Sequence, residues 1–226
     1  MKRFLQSIAA ILLAGLPVLA LAQLPPEMVD LKPVKTKRMD QGYLLPGTDF
    51  SVYKKVMVDP AQVSFNKNWM KDMNRSGDLA KKISQEDMQK IAEAARSGFG
   101  EIFAETFKRA GVEVVNAPGP DVLRVTPAVI NLYINAPSVG GSSATRTYAV
   151  QAGQASLVLA LRDSVAGTLI GMALDKKDTR TASAGPVLAD GVTNRAEFEV
   201  LFRRWAETAV KGFNELRAGQ APQPKK

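Results

Sequence analysis

The sequence predicts a mixed α+β fold of the broad α/β class. The expected architecture is a two-layer sandwich, with a mixed, mostly antiparallel sheet of about four to six strands and two long helices on one face. Three observations predict it. Two stretches repeat large apolar residues at spacings of three and four, the stretches between them alternate with a period near two, and the order along the chain is strand, helix, several strands, helix. A strand-to-helix-to-strand crossover followed by hairpins places both helices on the same side of the sheet.

The first element is not part of the fold. Lys2 and Arg3 precede an apolar run over residues 4–22 that ends in small residues at Ala20 and Ala22, which is the build of a signal peptide. Gly15 and Pro17 interrupt the run, so cleavage between Ala22 and Gln23 is expected rather than a retained anchor, and no transmembrane segment is expected after it. The 226 residues contain no cysteine, which excludes a disulfide and a lipid-bearing thioether. The predicted location is therefore periplasmic, and the predicted product is soluble. Residues 23–42 hold three prolines and scattered charge without a hydrophobic period, and are expected to be a flexible lead-in. A single domain is expected over residues 43–217 and a disordered tail over 218–226.

Within that domain, residues 51–60 read as a first strand, with Val56 and Val58 on one face and Pro60 at its end. Residues 66–82 are polar and mixed, with Trp69 as the one large apolar anchor, and read as a loop. Ser84 with Asp87 makes a capping box, after which Met88, Ile91, Ala95, Phe99, Ile102, Phe103 and Phe107 form a helical stripe that Gly111 ends. The last helix is expected from Asn194, capped with Glu197, to Arg217, with Phe198, Leu201, Phe202, Trp205, Ala209, Phe213 and Leu216 as its core stripe. Between the helices lie a short strand at residues 112–115 and a long one after Asp121, in which Pro127 is expected to mark a bulge or an edge. A glycine and serine loop follows, then strands over residues 148–162 and 168–177, and a second loop before the last helix.

The stretch ALRDSVAGTLIGMALDKK, residues 160–177, could pass for a site because it gathers a carboxylate, a hydroxyl, two glycines and two lysines. It reads instead as a hairpin. Gly167 stands where the turn requires positive φ, and Asp163 is placed to accept bonds from the turn amides. With residues 164–167 as the loop, Leu161 is expected opposite Ile170, Leu159 opposite Met172 and Leu157 opposite Leu174. That pairing sends Val158, Ala160, Leu169, Gly171 and Ala173 to the face away from the helices. A solvated antiparallel sheet would alternate to polar residues there, so these five are the candidate partner-binding surface.

Candidate chemistry is sparse. There is no histidine, which removes Ser-His and Cys-His nucleophile pairs together with the commonest metal ligand. Ser51-Val52-Tyr53-Lys54 has the S-x-x-K spacing, but the companion motifs of that mechanism are missing, and Lys35-Thr36-Lys37 lies upstream in the lead-in. No catalytic, metal or cofactor residue is assigned. The formal charge of +8 in an exported chain points to anionic lipid or cell-wall polymer rather than to nucleic acid.

Tyr53, Val58-Asp59-Pro60, Trp69, the run from Pro118-Gly119-Pro120-Asp121 through Val122-Leu123-Arg124, Asp163-Ser164 and Gly167 together resemble the bacterial envelope family called domain of unknown function 3313. The likeness spans about residues 40–215. It implies an envelope protein and supplies no reaction. Family members are typically lipoprotein-like, whereas Gln23 occupies the place of their lipid-bearing cysteine. Three classes of function follow from the whole sequence. A non-catalytic binding or accessory protein, meeting an envelope protein or a second copy, is favoured. A carrier of a lipid or another small apolar ligand would need an apolar cavity between sheet and helices. An enzyme using carboxylates and lysines would need such side chains converging in a deep pocket.

Overall fold

The computed structural model describes residues 28–75, 82–135, 148–149, 153–179, 187–188 and 191–220, with 222, 223 and 225. The stretch expected to be a signal peptide, its expected cleavage site between Ala22 and Gln23, and most of the loops at 136–147 and 180–190 lie outside these residues. The elements run β1 (Lys32–Val34), β2 (Gln41–Leu44), a 3-10 turn (Phe50–Val52), β3 (Lys55–Val58), β4 (Gln62–Phe65), α1 (Trp69–Arg75) and α2 (Gln85–Arg109). They continue with β5 (Glu113–Val114), β6 (Val122–Ile134), β7 (Tyr148–Ala149), β8 (Gly153–Asp163), β9 (Leu169–Thr179), β10 (Val187–Leu188) and α3 (Gly191–Arg217).

The fold is the expected mixed α+β arrangement with a larger sheet. Eight strands follow the order β1-β2-β9-β8-β6-β3-β5, with β4 also pairing with β6, and β7 and β10 form a separate pair. The β6-β8-β9-β2-β1 side is antiparallel, while β3 and β4 both run parallel to β6. The crossover from β4 through α2 to β5 and β6 is the one the element order predicts. Asp59-Pro60-Ala61 breaks one edge into β3 and β4, and Pro127, which has no N–H to donate, sits opposite this break.

The bulge of the long strand lies elsewhere than expected. Buried positions fall at Leu123, Val125 and Val129 and then at Leu132 and Ile134, so the inward-facing set shifts by one residue. The shift occurs at Asn131, whose φ of 53° is a left-handed conformation that asparagine tolerates. The pairing with β8 is irregular over the same stretch.

Both long helices follow from local chemistry. The Ser84 hydroxyl accepts from the Asp87 N–H at 3.1 Å and the Asp87 carboxylate accepts from the Ser84 N–H at 2.9 Å, which closes the capping box. At the other end Gly111 takes φ 74°, and the Val112 N–H reaches the Phe107 carbonyl while the Gly111 N–H reaches that of Lys108. The helices meet through edge-on aromatic pairs, Phe99 with Phe202 at 5.2 Å and Phe107 with Phe213 at 6.1 Å between centroids. Together with Trp69, Trp205 and one face of β6, β8 and β9 they form the main core.

Four expectations need correction. Residues 66–82 were expected as a loop, yet α1 starts at Trp69, whose buried indole N–H donates to the Ile134 carbonyl at 2.9 Å and whose ring stacks on Phe65 at 4.4 Å. The lead-in is not free, because β1 and β2 extend the sheet. The tail is not free either, since the Lys35 N–H donates to the Gln223 carbonyl and the Lys225 N–H to that of Pro33. A short strand on a sheet edge needs few apolar residues of its own, because the neighbouring strand supplies the hydrogen bonds. Asn194 is not a cap: α3 starts at Gly191, and the Asn194 amide instead donates to the Asn135 carbonyl at 3.1 Å.

The hairpin register is also off by one. Leu161 pairs with Gly171, Ala160 with Met172, Leu159 with Ala173 and Val158 with Leu174, with an irregularity beside Arg162. Gly171 and Ala173 therefore face the helices. Ala173 packs on the main core, and a Cβ on Gly171 would meet Leu161 and Leu44 at 3.2 and 3.0 Å. Met172 and Leu174 take their places on the outer face beside Val158 and Ala160. A bulge at the loop end absorbs one residue, and a four-residue loop gives no warning of it.

Candidate functional site

The residues that carry the family resemblance are brought together, but as braces. In the hairpin turn Asp163 accepts from the N–H groups of Val165 and Ala166 at 2.9 and 2.7 Å, and Gly167 has φ 70°. Its second carboxylate oxygen accepts the Tyr53 hydroxyl at 2.9 Å. The turn amides, Ala166 first, and the phenol hold the Asp163 carboxyl below its usual range. Burial, and then the bond to this carboxylate, push the Tyr53 hydroxyl up to about 12. Next to it the buried Ser164 hydroxyl donates to the Gly119 carbonyl at 2.9 Å and accepts its N–H at 3.0 Å. Asp59 accepts from Arg124 Nε at 2.8 Å and also from the Thr126 hydroxyl. Each pair ties a turn or loop to a segment distant in sequence, which is what sheet assembly requires of these side chain types.

The Lys177 side chain is not simply solvated. Asp175 is 2% exposed and accepts the Trp205 indole N–H at 2.8 Å and Lys177 Nζ at 2.7 Å. Lys177 also lies 3.5 Å from Asp40, whose carboxylate accepts the Lys176 N–H at 2.8 Å. This buried carboxylate, which sequence reasoning missed, fastens α3, β9 and the end of the β1–β2 connection together. A lysine two residues after an aspartate on a strand places both on one face, and that spacing was the available signal.

S-x-x-K forms no nucleophile pair here. Ser51 lies in the 3-10 turn with its N–H on Asp49, and Tyr53 is committed to Asp163. No group of three or more potential metal-ligating residues occurs among the described residues.

A cleft of about 520 Å³ with room for a ligand lies between the helix-facing side of the sheet and α3. Its floor is Phe107, Leu123, Val125, Leu159 and Phe213, all nearly inaccessible, and its walls include Leu161, Ala173, Ala209 and Leu216. Residues 35–40, the connection from β1 to β2, run across its mouth as a strap. Arg38 of the strap meets Glu215 of α3 at 2.9 Å, Asp40 is held by Lys176 and Lys177, and the Lys35 N–H is held by Gln223. Gly212 lines the cleft in the interior of α3, and a Cβ built there would meet nothing within 4 Å. A glycine in a helix interior costs about 0.5–1 kcal/mol relative to alanine, so this position trades stability for open volume. A second groove of about 450 Å³ lies between the N-terminal parts of α2 and α3, over Leu132 and Ile134.

Of the five residues expected to bind a partner, Val158 and Ala160 lie half-buried on the outer face. Leu169 is buried there under Met28 and Leu31, with Ala160 and Met172 against them. The lead-in thus covers part of the patch, and Gly171 and Ala173 belong to the other face.

No curated protein matches this chain. Among solved structures, a PelC dodecamer from Paraburkholderia phytofirmans is 13% identical, with 74% of this chain and 94% of that one covered at a TM-score of 0.34. A DUF330 protein from Xanthomonas campestris is 11% identical, with 83% and 95% covered at 0.42. A minor lipoprotein from Acinetobacter baumannii is 12% identical, with 76% and 98% covered at 0.34. No helix among the described residues is long and apolar enough to cross a membrane. The family described as protein of unknown function, DUF3313, matches residues 27–209, a span that takes in every brace described above. By that match the chain belongs to the DUF3313 family, to which no catalytic activity is attached.

Proposed function

We propose that this protein is a non-catalytic binding protein of the bacterial cell envelope, exported to the periplasm by residues 1–22, whose ligand is a small apolar or amphipathic molecule held in the cleft under α3. The observation that carries the reading is the cleft itself. Its volume of about 520 Å³ falls within the roughly 300–1,000 Å³ common for ligand sites, and its floor is apolar. Gly212 supports the reading independently, because alanine there would favour the helix without a clash. The enzyme reading gains no such support: Glu215 is the one carboxylate among the residues lining the cleft, and it is occupied by Arg38.

The test is fluorescence of 1-N-phenylnaphthylamine, which brightens in apolar surroundings, titrated with the full mature chain. Saturable binding that Gly212→Leu removes, with the circular dichroism spectrum unchanged, is expected. Absence of saturable binding overturns the reading. Mass spectrometry of the periplasmic fraction should find a chain starting at Gln23, and an intact N-terminus in the membrane pellet would overturn the export step.

A second reading has its own observation. Val158, Ala160, Met172 and Leu174 line up on the outer face of β8 and β9, which supports docking of an envelope protein or a second copy there.

A further inference from the structure

We infer that the ligand of the cleft is a single-chain amphiphile with an anionic headgroup, its acyl chain between the sheet and α3 and its headgroup on the strap. The inference rests on the ligand-binding reading above and adds the chemical class. Three of the six residues of the strap are cationic, Lys35, Lys37 and Arg38, and all three border the cleft. Among the described residues neither Lys35 nor Lys37 has an ion-pair partner, and both are exposed. Their charges therefore meet water at the one edge of the cleft where a polar headgroup would emerge. The floor, by contrast, offers no charged group to a ligand, since Phe107, Leu123, Val125, Leu159 and Phe213 are all apolar. A binding site that is apolar at depth and cationic at its mouth complements an apolar tail ending in an anion.

Arg38 adds a specific contact. Its guanidinium uses one nitrogen, at 2.9 and 3.1 Å, for both oxygens of Glu215, and the two side chains are 39% and 43% exposed. An ion pair this exposed holds weakly, so an incoming carboxylate or phosphate competes with Glu215 for the guanidinium on nearly equal terms. The strap is held independently of Arg38, through Lys35 to Gln223, through Met39 packed on the main core and through Asp40 to Lys176 and Lys177, so Arg38 can change partner without disturbing the sheet.

The shared chemistry has two sources, a free fatty acid with a carboxylate and a lysophospholipid with a phosphate. The experiment displaces bound 1-N-phenylnaphthylamine from the full mature chain with palmitate, with lysophosphatidylglycerol, with neutral hexadecanol and with acetate. At low salt one or both anionic amphiphiles should displace the probe at concentrations about tenfold below hexadecanol, the size of one charge-assisted hydrogen bond, and acetate should not displace it. The gap should narrow in high salt. The tighter of the two anionic ligands identifies the source. In the exposed double variant Lys35→Gln/Lys37→Gln, and separately in Arg38→Gln, the advantage of the anion over hexadecanol should shrink, with each displacement corrected for the probe affinity measured in that same variant. Equal displacement by hexadecanol and the two anionic ligands, or an anion advantage that survives all three substitutions, overturns the headgroup assignment and leaves the cleft as a neutral-ligand site. Failure of the probe itself to bind strikes the ligand-binding reading instead.

Discussion

Tyr53 and Asp163 are 110 positions apart in sequence and meet at 2.9 Å, so one hydrogen bond joins the 3-10 turn to the tip of the longest hairpin. Its pH dependence has a definite sign. The folded state raises the phenol from 10.0 to about 12, through burial first and the Asp163 bond second, so the neutral form is favoured by folding. The contribution is complete below pH 10 and is lost as pH rises from there through about 12, because the unfolded chain releases its proton first. Tyr53→Phe should remove this part of the alkaline loss of stability. It should also cost about 0.5–1.5 kcal/mol at neutral pH by denaturant unfolding, the net worth of a hydrogen bond. An unchanged alkaline profile in the variant would refute the brace. At the same turn Gly167→Val should cost about 1 kcal/mol or more, since φ is 70° and valine is strained there. The expected partner of that loss is a folded variant with unchanged probe binding, because Gly167 does not line the cleft.

Helix α3 carries two demands that conflict at one residue. Phe198, Leu201, Phe202, Trp205 and Phe213 bury one stripe in the core, while Gly212, one residue before Phe213, borders open volume. Gly212→Ala should raise stability by about 0.5–1 kcal/mol through helix propensity and lower affinity for the apolar probe only slightly. Gly212→Leu should fill the cleft and abolish probe binding while the helix remains. Thermal unfolding and probe titration on the same samples separate the two effects, and a Gly212→Leu chain that still binds the probe would place the ligand elsewhere. The β8–β9 hairpin makes a related point about elements. Its strands were readable from β character and length, yet the bulge beside Arg162 moved Met172 and Leu174 to the outer face and Gly171 and Ala173 to the inner one.

For the molecule as a whole, the outer face of the sheet is only partly covered by the chain itself. Met28 and Leu31 cover Leu169 and touch the Ala160 and Met172 end, while Val158 and Leu174 lie outside that cover. Val158→Glu therefore probes the patch without displacing the lead-in, and Ala160→Glu probes the covered edge. If a partner or a second copy uses this face, Val158→Glu should lower the mass measured by light scattering or remove a partner from a pull-down with envelope extract. Ala160→Glu should act in the same direction. Unchanged mass and an unchanged partner set in both folded variants would eliminate the patch as an interface.

The sequence by itself determined the two long helices and the order of the layers, because a capping box, a terminal glycine and apolar spacings of three and four are local signals that tertiary contacts reinforce. Ser84 with Asp87, Gly111, and the stripes ending at Phe107 and Leu216 behave as local chemistry requires. It also determined the turn at Asp163 and Gly167, and the family. Tertiary structure alone decided the rest. β1, β2 and β4 are too short and polar to announce themselves, and exist because a neighbouring strand offers its backbone groups. The parity change at Asn131 and the register at Arg162 are single-residue events, which an apolar pattern of period two locates only to within a few positions. The cleft is the furthest from the sequence. Its floor is assembled from α2, β6, β8 and α3, its mouth from a strap that reads as linker, and its volume from a glycine whose missing side chain has meaning only once the sheet lies opposite.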